Sequence, residues 1–373
     1  MGPRLTGFQI EGYRSIRKLR LPVGHLSVLV GRNGVGKTNL YRALELTAAA
    51  ARGTITREIA GEGGIESVLW AGPRQRGKPV RLKFGAELGD LTYTVEIGLP
   101  TKTEAAISLT EPLVKEEELV FTAGRPVTLM KRRGPSVWLR DGESKRHAFE
   151  HTLLASETAL ATFQDAAMFA ELDAVRRALA DWRFFHNFRT DAGSPIRRPP
   201  LAVTTPTLAS DGSDMAAALA TRMVIDERVE IDAAIADAFP GASLDVAVEG
   251  GRVMLSMTIP DMPRPLAATE VSDGTLAYLC LVAALASYRL PGFIALNEPE
   301  TSLHPDLIRP LARLIGRAAE RTPVWCVTHA PDLADALEVE AGARPWVVCK
   351  QDGATWLEGL KLTGAFADDD DEG

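Results

Sequence analysis

The chain has 373 residues, 46% of them hydrophobic, enough to bury one large core or two modest ones and too apolar for widespread disorder. A formal net charge of −7 excludes whole-molecule attraction to nucleic acid or an anionic membrane, so any such binding must come from local patches. Three cysteines, Cys280, Cys326 and Cys349, stand singly in apolar runs without C-x-x-C spacing, which suits a reduced cytoplasmic protein better than a disulfide framework or a zinc site.

Met1 to Arg20 alternates polar and apolar residues, as strands do, and presents no apolar signal-peptide core. Leu5, Phe8 and Ile10, then Tyr13, Ile16 and Leu19, are expected to flank a turn at Gly12. Leu26 to Val30 (LSVLV) reads as a strand buried on both faces, and it runs directly into GRNGVGKT, Gly31 to Thr38. The following NLYRALELTAAAA is helical, with Leu40, Ala43, Leu44 and Thr47 on one side. Strand, glycine loop and helix together form the context that a phosphate-binding loop requires.

VRLKFGAEL and LTYTVEIGL, split at Gly89 and Asp90, predict an antiparallel meander between Val80 and Val120. Glycine, proline and charge dominate from Ala123 to Arg146, and helical periodicity returns from Thr152 to Trp182. A proline-rich stretch, Ser194 to Pro206, precedes a helix expected over Asp214 to Ala238, with Ser213 or Asp214 as N-cap and Pro240-Gly241 as the stop. Leu244 to Ile259 predicts a hairpin turning at Gly250-Gly251.

The tail returns to α/β order. Helices are predicted at Thr275 to Arg289, Pro305 to Arg321 and Asp332 to Leu337, alternating with strands at Phe293 to Leu296, Val324 to Thr328 and Trp346 to Lys350. That alternation predicts a parallel sheet with functional residues at strand C-terminal ends. No heptad pattern or internal repeat is sustained. The most apolar run, Leu276 to Ala286, is shorter than the roughly 20 residues a membrane span needs, so no membrane association is expected. Asp368 to Glu372 reads as a solvated acidic tail.

In the glycine loop, Gly31, Gly34 and Gly36 permit a backbone path that aims successive N–H groups inward at a helix start, an anion nest. Lys37 can neutralise β- and γ-phosphates, and the Thr38 hydroxyl can ligate Mg²⁺. An ordinary glycine turn is the competing reading, and it leaves the Lys-Thr pair unexplained. At the end of FIAL, Asn297 offers a neutral carbonyl oxygen to a metal-bound water, and Glu298 is the candidate general base, with Glu300 able to share the work. Capping or ion pairing is the alternative for Glu298. VSDGT places Ser272 at a helix N-terminus with Gly274 allowing close approach; it serves either as a plain N-cap or as a second anion site for the nucleotide of another copy. His329 follows the strand VWCVT, where it can meet a γ-phosphate or the attacking water, or act structurally.

These segments, with FQIEGYRSIRKLRLPVGHL, LNEPETSLHP and VTHAPDLADAL, resemble the ABC-type ATPase heads of the RecF, SMC and OLD group, especially stand-alone bacterial AAA family ATPases. The middle is similar only through WRFFHNF and LASDGSDMAAAL. The resemblance implies a P-loop NTPase of α/β class, an ABC-ATPase head with a mixed sheet core, an antiparallel β subdomain and a helical lobe. It implies lobe I from residues 1–150 and 271–365, a helical lobe II over 151–270 presenting the signature, and an acidic tail over 366–373. Gly31 to Thr38 becomes the Walker A loop, with Asn33 and Asn39 as further nucleotide contacts. Ser272 to Thr275 becomes the signature, Asn297 and Glu298 the Walker B end, and His329 the switch histidine. Arg14 matches an arginine near the nucleotide, and Gln75 is the candidate magnesium-sensing glutamine. Asn297 departs from the usual Asp, and Asp273 and Thr275 from the Gly and Gln of transporter signatures.

ATP with Mg²⁺ is the implied ligand and an ATP-closed homodimer the implied assembly, transmitting movement to DNA or to an effector such as a nuclease, in repair or anti-phage defence. Basic clusters at Arg74, Arg76, Lys78 and Arg81, at Lys131 to Arg133, and at Arg197-Arg198 offer phosphate contacts or simply solvated loops. A non-hydrolysing ATP clamp is the alternative function. A transporter ATPase fits poorly, because the signature lies far from Thr38 and lacks its Gln.

Overall fold

The alternating N-terminal residues form β1 (Leu5–Tyr13) and β2 (Ile16–Pro22), with Phe8 opposite Leu21 and Ile10 opposite Leu19. The structure, a computed structural model, describes residues 2–73, 79–101, 106–150, 153–225, 228–260, 262–361 and 363–366. The first reversal falls at Arg14 and Ser15 instead of Gly12, since Tyr13 pairs with Ile16 and Arg14 takes a φ of 47°. β3 (Leu26–Val30) and α1 (Lys37–Arg52) follow as expected, then short helices α2 (Ile55–Gly61) and α3 (Ile65–Val68). The meander is β4 (Arg81–Leu88), β5 (Leu91–Gly98) and β6 (Leu113–Phe121).

The charged stretch after it also forms strands, β7 (Val127–Arg133), β8 (Ser136–Arg140) and β9 (Arg146–Phe149). Cross-strand charge pairing takes the place of apolar alternation here: Glu116, Glu117 and Glu118 of β6 stand opposite Arg133, Arg132 and Lys131 of β7. The Thr152 to Trp182 region yields α4 (Ala159–Thr162) and α5 (Ala170–Ala180), separated where Asp165 accepts the N–H groups of Ala167 and Met168. Thr152 itself lies outside the described residues.

β10 (Arg183–His186) comes next, a strand the sequence reading did not anticipate. The helix expected over Asp214 to Ala238 is two, α6 (Met215–Ile225) and α7 (Val229–Ala238). The hairpin forms as β11 (Ser243–Glu249) and β12 (Arg252–Thr258), joined by the short β13 (Leu266–Ala267). The tail supplies α8 (Asp273–Leu285), β14 (Ile294–Asn297), α9 (Ile308–Ala319), β15 (Val324–Thr328), α10 (Pro331–Ala341), β16 (Trp346–Gln351) and an unforeseen β17 (Ala354–Leu357).

The chain divides into two compact units. One comprises Met1–Gly24, Gly31–Trp182 and Val347–Gly373. It carries the antiparallel sheet β2-β1-β4-β5-β6-β7-β8-β9, with α1 against β1 and β4 and the β16–β17 hairpin beside β2. Deep in this unit Glu117 and Arg132 pair at 3.0 Å with no side-chain exposure. Glu117 also accepts from Tyr93 Oη and from the N–H groups of Ala159 and Leu160, while Arg132 donates to the carbonyls of Leu154, Glu157 and Gly134. The pair thus tethers the α4 segment to the sheet. Glu117→Ala, which strands a buried guanidinium, is expected to lower stability by about 3–5 kcal/mol in denaturant titration.

The other unit comprises His25–Val30 and Arg183–Trp346. Its parallel strands run β10-β14-β15-β3, with Leu296 beside Cys326 and Cys326 beside Val28. α8 is buried from Leu276 to Leu285 and packs against α6 and α9 in this unit's core, which also takes in Leu296 of β14 and Cys326 of β15. Parallel pairing brings the C-terminal ends of β14, β15 and β3 side by side, Asn297 with Val327 and Thr328 with Val30. No described helix is long and apolar enough to cross a membrane.

Candidate functional site

In the first unit, Gly36 ends the glycine loop as the N-cap of α1, with a left-handed backbone at φ 109°. An ideal Cβ there would stand 2.0 Å from Thr355 Oγ1, so only glycine fits. Lys37 is buried, and its Nζ donates to the carbonyls of Gly31 and of Arg32, the latter at 3.1 Å, folding the amine back over the loop. Asn33, Gly34 and Thr38 are exposed. Asn39 donates its side-chain amide to Ser15 Oγ at 2.6 Å. Ser15 in turn contacts Thr355 Oγ1 at 2.7 Å.

Arg14 is ion-paired with Glu62 at 2.7 Å, and its own N–H donates to Val68 O. Burial pushes the Glu62 carboxyl up, but hydrogen bonds from Arg42, Tyr13 and Arg14 outweigh it and hold the group below its usual range. Arg14 is thereby fixed beside the C-terminal end of α2, which Glu62 caps. Gln75, Arg74, Arg76 and Lys78 lie outside the described residues, as does the run Asp368 to Glu372.

In the second unit, β14 ends in a buried Asn297 whose Nδ2 donates to His186 Nδ1 at 2.6 Å. Its Oδ1 is buried and has no hydrogen-bond partner, so a neutral acceptor stands at the end of β14. Glu298 adopts a left-handed backbone, φ 51°, a conformation that costs a non-glycine residue about 1–2 kcal/mol. Its N–H still bonds Val327 O at 2.7 Å, so the chain leaves the strand abruptly at this residue. Glu298 Oε1 lies 3.4 Å from His329 Nδ1, and Glu300 Oε1 lies 3.6 Å from the same nitrogen. Glu300 is buried and accepts from Thr328 Oγ1 at 2.5 Å, whose oxygen in turn accepts from Ala330 N. Glu298 and His329 are the accessible members of this triad; Glu300 holds the imidazole from behind.

Ser272 caps α8, accepting from Thr275 N at 3.2 Å, so the N-cap reading is realised. Gly274 is as tight as expected: a Cβ there would stand 2.7 Å from Ser302 O. The VSDGT turn is held by a residue assigned a different task on sequence. Arg197 donates to Asp273 at 2.5 Å, to the carbonyls of Ala268, Thr269 and Val271, and to Thr190 O. It is a brace for the turn that leads into α8 and is unsuited to a phosphate patch. Lys131 pairs with Glu118, Arg132 with Glu117, and Arg81 with Glu96, so these basic residues are likewise committed within the chain. Arg198 is exposed.

Three residues important to this geometry escaped the sequence reading. His186 is signalled only by the apolar WRFFHNF, Glu62 by nothing local, and Thr355 by the Asp352-Gly353 turn that announces a second hairpin strand. Among the described residues no group of three or more His, Cys, Asp or Glu could by itself hold a metal ion.

The chain is similar to the Smc head bound to the C-winged helix domain of ScpA, with a TM-score of 0.52 and 14% identity over 96% of this chain and 98% of that one. It is similar also to the Smc head domain with an extended coiled coil bound to the C-terminal domain of ScpA from Pyrococcus furiosus, with a TM-score of 0.50 and 14% identity over 99% of both chains. Its fold is that of an ABC-type ATPase head, a P-loop NTPase fold. Residues 154–335 match the family model described as "AAA domain, putative AbiEii toxin, Type IV TA system", a span that includes Ser272, Gly274, Asn297, Glu298 and His329. No curated protein matches the chain.

Proposed function

We propose that the protein binds ATP with Mg²⁺ at Gly31 to Thr38 and hydrolyses it slowly, and that two copies close around two nucleotides. The observation that carries this reading is the Glu298–His329 contact at the C-terminal ends of β14 and β15. Glu298 takes the proton of the attacking water, His329 orients that water or the γ-phosphate, and Lys37 neutralises phosphate charge. Mg²⁺, when bound, supplies Lewis-acid charge on the phosphates. Thr38 would hold it through a neutral hydroxyl oxygen, and Asn297 brings no negative charge of its own, so the phosphates must contribute most of the charge that holds the ion. Steady-state phosphate release above that of Lys37→Ala tests the reading; a rate equal to that variant leaves an ATP clamp.

The clamp is the second reading, favoured by one observation: Asn297 adds no charge and is already bonded to His186. In either case Ser272 and Gly274 serve the nucleotide of the second copy. Ser272→Arg is expected to abolish hydrolysis while ATP affinity stays within about twofold, beyond a cap loss of about 1 kcal/mol in the melting curve. Loss of ATP binding in that variant would instead place Ser272 at its own chain's nucleotide.

The movement is passed to a partner in the cytoplasm, either DNA or an effector protein such as a nuclease, in repair or anti-phage defence. Support comes from the toxin–antitoxin description of the matching family and from ScpA bound to the similar Smc heads. An effector protein is the better supported of the two, because Lys131, Arg132 and Arg197 are engaged inside the chain.

A further inference from the structure

The β16–β17 hairpin meets the glycine loop at both ends, and the direction of each hydrogen bond in the second contact can be assigned. The Asn39 amide nitrogen only donates, so Ser15 Oγ accepts from it at 2.6 Å. The Thr355 hydroxyl proton goes to the Val35 carbonyl at 2.7 Å, since a carbonyl only accepts. The Ser15 proton is then directed to Thr355 Oγ1, 2.7 Å away. The Thr355 N–H also donates to Ser15 O at 2.8 Å. Thr355 is 1% exposed, so this chain of bonds is shielded from solvent competition. At the other end of the loop, an ideal Cβ on Gly31 would stand 2.6 Å from Val348 O.

A trans peptide sets its C=O and N–H on opposite sides. Fixing the Val35 carbonyl toward β17 therefore turns the Gly36 N–H away from β17, the side on which the anion-nest reading requires its donors. Without the Thr355 hydroxyl, the Val35–Gly36 peptide loses the bond that selects this orientation over the flipped one. Gly36 admits the close approach, and the hydroxyl uses it.

We propose that Thr355 is a positioning residue for the phosphate site, holding the Val35–Gly36 peptide in the orientation that receives the triphosphate. The proposal rests on reading Gly31 to Thr38 as the ATP loop. It makes the C-terminal hairpin, far from the loop in sequence, part of the nucleotide-binding apparatus.

The test uses the full chain, with ATP and inorganic tripolyphosphate as probes in calorimetry. Thr355→Val, near-isosteric but without the hydroxyl, is expected to weaken both ligands by about tenfold, the equivalent of one hydrogen bond. Thr355→Ser should bind both like the wild type, and in turnover assays Thr355→Val should raise KM while kcat is kept. Should Thr355→Val not fold, Thr355→Ala carries the same expectation without added bulk. Wild-type affinity in the hydroxyl-free variant overturns the proposal, as does a Thr355→Ser variant as weak as Thr355→Val. A wild-type chain that binds neither probe overturns the ATP-loop reading itself, a separate and recognisable result.

Discussion

Glu298→Gln is expected to lower steady-state phosphate release by about 10²–10⁴-fold while ATP binding is retained, the usual range for removing a positioned general base. The amide keeps the shape of the side chain but cannot take a proton from water. Glu300 is a poor substitute, because its side chain is buried. His329 at 3.4 Å from Glu298 is left in place, so binding contacts survive and only the chemical step is lost. A variant that hydrolyses ATP at the wild-type rate would remove Glu298 from the mechanism and leave the clamp reading or a different base.

Lys37→Ala is expected to weaken ATP binding by about 100-fold or more, because a charge-assisted phosphate contact is lost from a loop whose other donors are backbone N–H groups. In the structure the Lys37 amine is held by the Gly31 and Arg32 carbonyls, so alanine also frees the loop from an internal tie. Calorimetry or displacement of a fluorescent ATP analogue measures the effect. Unchanged affinity would mean that the GRNGVGKT segment is a turn and nothing more.

Much of this arrangement was legible because it is local. LSVLV, the glycine loop and the following helix are adjacent in sequence, and the tail's α/β alternation orders β14, β15 and their end residues without knowledge of the rest. Glu298 and His329 were found for the same reason: each directly follows a short apolar strand. What was missed depends on distant pairing. The strands β7 to β9 hide behind charges that are neutralised by β6, and β10 is four residues without alternation. Arg14 finds Glu62 48 positions away, and Ser15 meets Thr355 at a separation of 340. The Arg197 guanidinium looked like a free cation in a proline-rich stretch, yet four of its five acceptors lie on residues 268–273, a segment that only the fold brings to it.

The reading of Ser272 and Gly274 as contributions to a second copy's nucleotide makes assembly depend on unhydrolysed ATP. Light scattering of Glu298→Gln with excess ATP and Mg²⁺ tests this most directly. The account predicts a dimer that reverts to monomer when the nucleotide is removed; a monomer at saturating ATP contradicts it.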